Sequence, residues 1–112
     1  MSVIDRKAAA AAYKERKAVG GVYALRCRAT GETWVGIATD LETIERRIAF
    51  TLKTGATPHR SLKAAREAHG PDAFTFEVLE SVEEKDASPA YLRTLMQKRQ
   101  EQHAAALGAT RI

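Results

Sequence analysis

The chain has 112 residues and a mass of 12.3 kDa, enough for one core and not for two. Hydrophobic residues make up 45% and charged residues 29%, which excludes a disordered chain. Lys and Arg number 18 against 14 Asp and Glu, so the net charge of +4 permits contact with nucleic acid without requiring it. Cys27 is the single cysteine, which excludes an internal disulfide framework and a thiolate zinc cluster. No apolar run approaches the roughly 20 residues needed to span a bilayer, and no leucine-rich leader is present. These features predict a cytoplasmic protein with no membrane partner.

In chain order, residues 2–18 predict a helix, with Ser2 and Asp5 at capping-box spacing and an alanine run behind them. It has little to bury besides Ile4 and Tyr13, so residues 1–19 are expected to form an accessory element. Residues 21–28 and 33–37 predict a hairpin across the loop Ala29 to Glu32. Asp40 opens a helix whose apolar stripe is Leu41, Ile44, Ile48 and Leu52, and Gly55 closes it. A short helix, Arg60 to His69, ends at Gly70. Pro71-Asp72 is turn chemistry, and residues 74–79 predict a third strand. Glu80 to Asp86 is an acidic connector. Ser88-Pro89 then caps a last helix running to about Leu107, with Gly108 behind it.

The hairpin carries Gly21-Val22-Tyr23 on its first strand and Trp34-Val35-Gly36 on its second. Behind these triplets come a helix opening at Asp40-Leu41, a short helix ending in His69-Gly70, and Phe74 to Leu79 as a strand of the Phe-x-Phe-Glu type. The pattern resembles the GIY-YIG nuclease family, clearly over residues 20–80 and more weakly in the last helix. It departs in having Val for Ile in the first triplet and Trp-Val for Tyr-Ile in the second. The resemblance implies a single mixed α/β (α+β) domain over residues 20–108. A small three-stranded antiparallel or mixed sheet would be flanked by helices, with the N-terminal helix as an extra. It also implies hydrolysis of nucleic-acid phosphodiesters, DNA before RNA, with one Mg²⁺ or Mn²⁺ held by a glutamate of the last helix.

By the same resemblance Tyr23 would touch or deprotonate the attacking water, a role a phenol fills when a nearby cation lowers its pKa. The alternative is a packed strand tyrosine. Trp34 stands where a second tyrosine belongs; its indole donates but cannot act as a base, so it supports the phosphate or simply packs. The arginine that would neutralise phosphate falls, counting without a gap, at Ile44, inside the apolar stripe. Arg47 lies about 60° from Ile44 on the helical wheel and is the candidate, whereas Arg46 lies about 160° away and faces solvent. His59, at the start of the short helix, is a candidate for phosphate contact or proton transfer, against a capping or surface role.

The metal glutamate is missing from its expected place. Leu92, Leu95 and Met96 mark the inward stripe of the last helix, and Arg93, Gln97 and Lys98 hold the neighbouring positions. Glu101, a weak candidate ligand, lies about 180° from Leu92. Arg99 and His103 project inward instead and, with Lys98 and Arg46, are candidate nucleic-acid contacts. Basic residues also gather at the two ends: Arg6, Lys7, Lys14, Arg16 and Lys17 in one, Arg93, Lys98, Arg99 and Arg111 in the other. The leading expectation is a small endonuclease of weak sequence preference, monomeric or homodimeric. The alternative is the same fold without hydrolysis, used as a nucleic-acid-binding or regulatory module.

Overall fold

The computed structural model describes residues 19–82 and 87–112. The expected N-terminal helix and the end of the acidic connector lie outside these residues.

Two strands, β1 (Gly20–Cys27) and β2 (Thr33–Ala38), pair antiparallel and place Tyr23 opposite Gly36 and Leu25 opposite Trp34. The first helix, α1 (Leu41–Thr54), starts where Asp40 accepts the Thr43 N–H at 3.2 Å and the Thr43 hydroxyl at 2.9 Å. It stops at Gly55, whose φ of 76° is a left-handed turn that a side chain would disfavour. The second helix, α2 (Arg60–His69), follows. Its Arg66 reaches back to the end of α1 and donates to the Leu52 carbonyl at 2.7 Å and the Lys53 carbonyl at 2.9 Å. A 3₁₀ turn at Pro71–Ala73 leads into β3 (Phe74–Val82), antiparallel to β1. The last helix, α3 (Pro89–Leu107), begins as the sequence predicts, with the Ser88 hydroxyl oxygen accepting the Tyr91 N–H and Pro89 in the first turn, and ends at Gly108.

The sheet has a fourth strand that the sequence does not announce. Thr110–Arg111 (β4) pairs parallel with Trp34 and Val35 of β2, giving the order β3-β1-β2-β4. Two residues carry no period-2 signal, so only tertiary pairing reveals this strand. The third strand also runs to Val82 rather than Leu79. A register shift between Val22 and Tyr23 accompanies that extension.

The sheet is covered on both faces. Tyr23, Leu25, Cys27 and Trp34 face α1 and α2 and pack with Leu41, Ile48, Leu52, Leu62 and Ala65. Val22, Ala24 and Val35 face α3 and pack with Ala104. Ile44, read as part of the α1 stripe, is half-buried against the first of these cores.

Candidate functional site

The two triplets meet as cross-strand neighbours, because Tyr23 lies opposite Gly36. A Cβ at Gly36 would collide with the Tyr23 hydroxyl and ring, so the glycine is what lets the phenol lie across β2. Tyr23 is 5% exposed and stacks on Phe76 at 5.3 Å between ring centroids. Burial pushes its pKa above the ordinary phenol value, the opposite of the lowering that a general base needs. At neutral pH this hydroxyl therefore keeps its proton and is suited to donate.

Trp34 is sealed, at 1% exposure. Its one donor, Nε1–H, is committed to the Ser61 hydroxyl oxygen at 2.8 Å, and its ring tilts against Phe74. This is the packing alternative, not a phosphate contact. His59 sits half-buried at the start of α2, where its backbone N–H donates to the Thr57 hydroxyl oxygen. It belongs to the end of the sheet where Trp34 starts β2.

Arg47 lies at the other end of β2. A cleft of about 620 Å³ opens where Ile37 and Ala38 lie beyond the short reach of β4. The first two turns of α1 form one wall, with Thr43, Ile44 and Arg47, and the first turns of α3 form the other, with Pro89, Arg93 and Met96. Among the described residues, neither Arg47 nor Arg93 has an ion-pair or hydrogen-bond partner. Guanidiniums on both walls can receive an anion, since each planar fork matches two phosphate oxygens. Arg46 points out of it, 3.1 Å from Glu42 in an exposed pair one turn apart.

The other basic candidates are used elsewhere. Arg99 and His103 do project toward the sheet, but onto a carboxylate: Glu80 of β3 lies 3.4 Å from Arg99 Nε and 2.9 Å from His103 Nε2. Glu80 was read only as the start of a connector. The register shift explains its placement, because Leu79 and Glu80 both turn to the α3 side instead of alternating. Lys98 and Glu101 are exposed on α3 and do not line the cleft.

A divalent ion held by a glutamate of the last helix does not fit these residues. Toward the cleft α3 offers Arg93 and Met96. Among the described residues the carboxylate of the lining is Asp40, whose two oxygens already accept from Thr43. Among the described residues, no three His, Cys, Asp or Glu side chains come together in a metal-binding group. From the sequence Arg93 was named as a basic residue of the last helix, Met96 as part of its inward stripe and Asp40 as a helix start, but none of them as the lining of a site. A cleft between two helices carries no local motif, and Asp40 already had a complete explanation as a cap.

Among solved structures, the catalytic domain of the homing endonuclease I-TevI superposes with a TM-score of 0.67 and 21% identity, over 83% of this chain and 97% of that one. A mutant form of the catalytic domain of the same intron endonuclease superposes with a TM-score of 0.65 and 21% identity, over 80% of this chain and 84% of that one. The chain has the GIY-YIG fold. No protein-family model and no curated protein matches the sequence. At this identity the GIY-YIG likeness is one of architecture, and roles for individual residues rest on this chain's own geometry. No helix of the described residues is long and apolar enough to cross a membrane.

Proposed function

We propose that this protein is a small GIY-YIG-type nuclease acting on DNA, and that it takes the phosphodiester at the cleft between α1 and α3. The observation that carries this reading is the pair of guanidiniums, Arg47 and Arg93, unpartnered among the described residues and lining one cleft in a nuclease fold. Arg47 and Arg93 would hold the phosphate oxygens and offset the charge that builds on phosphorus during hydrolysis. Tyr23 lies in the aromatic core and not in the lining of the cleft, so its variant separates an effect on the fold from one on the phosphate site. Contacts to phosphate carry no base information, so sequence preference would be weak.

A second reading is favoured by a specific observation. Among the described residues, the cleft lining holds one carboxylate, already engaged as a helix cap, and no metal-binding group forms. On that reading the fold grips DNA without cutting it.

The test is cleavage and retention of labelled single- and double-stranded DNA, with Mg²⁺, with Mn²⁺ and with chelator. It compares the wild type with Arg47→Ala, Arg93→Ala and Tyr23→Phe. Cutting that needs metal and falls by at least about tenfold in each arginine variant, roughly one lost charged hydrogen bond, supports the nuclease. Salt-sensitive retention without cutting in any metal selects the binding module. DNA neither cut nor retained rejects both.

A further inference from the structure

The cleft has two kinds of lining that a phosphate backbone alone does not account for. Its charged part is Arg47 and Arg93. Its floor is apolar, built by Ile37 from the end of β2, Ile44 from α1 and Met96 from α3. Ile37 and Ile44 are half-buried and Met96 is 4% exposed, so this floor is a shallow extension of the protein interior. A paired duplex presents phosphates and sugars outward and keeps its base faces stacked inside. Laid across this cleft, it would meet the arginines and leave the apolar floor wet. An unpaired nucleotide meets both linings, because its phosphate is anionic and the faces of its base are largely apolar.

Size and charge agree with one such nucleotide. A volume of about 620 Å³ lies within the ordinary range of small-molecule sites. The positive charge lies at Arg47 and Arg93, which would take the anionic end and leave the base to the floor.

Building on the proposed nucleic-acid role, we propose that the cleft holds one unpaired nucleotide, its phosphate on Arg47 and Arg93 and its base on the floor of Ile37, Ile44 and Met96. The substrate class is then single-stranded DNA, or DNA with an unstacked position, rather than continuous duplex.

Fluorescence anisotropy in chelator tests this with three labelled probes of equal length: a single strand, a blunt duplex, and a single strand carrying abasic spacers throughout. The abasic strand keeps every phosphate and loses every base. The intact strand is expected to bind severalfold more tightly than either of the others, the effect of covering part of one base with apolar side chains. Ile44→Ala, its fold checked by circular dichroism, is expected to weaken the intact strand severalfold and leave the abasic strand unchanged. Arg47→Ala and Arg93→Ala are expected to weaken all three probes. Equal binding of intact and abasic strands overturns the inference and leaves the phosphate site standing, as does tighter binding of the duplex. Binding to none of the probes, or binding that neither arginine variant weakens, overturns the nucleic-acid reading and this inference with it.

Discussion

The two faces of the sheet are built on different principles. The face under α1 and α2 is large and aromatic: Tyr23 stacks on Phe76, Trp34 leans on Phe74, and both lie in one buried cluster with Leu25 and Cys27. The face under α3 is small, with Val22, Ala24 and Val35 against Ala104. Small residues let α3 lie close enough for a side chain to reach sheet backbone. Gln100, 7% exposed, donates from Nε2 to the Val35 carbonyl at 2.8 Å and to the Ile112 carbonyl at 3.1 Å. One face is held by ring packing and the other by a polar pin. The aromatic residues of the two triplets went into the first face, and so into the core. The open cleft lies instead at the seam where α1 and α3 flank the end of β2.

Substitutions can break this contrast in order of size. Trp34→Ala should cost the most, about 3–5 kcal/mol in urea unfolding, because it opens a cavity in the aromatic face. A loss below about 1 kcal/mol would remove Trp34 from the core described here. Gln100→Leu should cost about 1–2 kcal/mol, because it deletes the donor shared by two carbonyls while keeping most of the volume. Hydrogen exchange should then show faster loss of protection at the Ile112 amide, which donates to the same Val35 carbonyl, than at amides of α1.

Tyr23 sharpens the contrast through pH. Burial raises its folded pKa above the ordinary 10.0, so the folded state holds that proton more tightly than the unfolded state. The contribution is complete below pH 10.0 and is lost as pH rises through the folded value. Stability of the wild type should therefore fall more steeply above that pH than stability of Tyr23→Phe. Spectrophotometric titration should show a late-ionising phenol in the wild type that is missing from Tyr23→Phe. Equal alkaline slopes for the two proteins would contradict a buried phenol. The smallest effect belongs to the exposed pair: Arg46→Ala should change stability by no more than about 0.5 kcal/mol.

Much of the fold was legible in particular residues. Asp40 and Gly55 bound α1, Ser88-Pro89 and Gly108 bound α3, the loop Ala29 to Glu32 marked the hairpin of β1 and β2, and alternation marked most of β3. These signals are local, because a cap or a turn is satisfied within a few residues of itself. The site was less legible. Arg47 was reached by counting around a helix, but its counterpart Arg93 sits on an element far along the chain. Arg99 and His103 were read as free for nucleic acid because their partner, Glu80, follows a register shift that defeats simple alternation.

The sequence by itself therefore determined the helices, the hairpin and a resemblance that the architecture bears out. The tertiary structure decided the fate of individual side chains. It buried Trp34 and Tyr23, committed Glu80 to Arg99 and His103, and brought Arg47 and Arg93 to one cleft. The reason is physical. Secondary structure follows from short-range propensity and capping, whereas burial, pairing and the approach of two helices depend on contacts between residues distant in sequence.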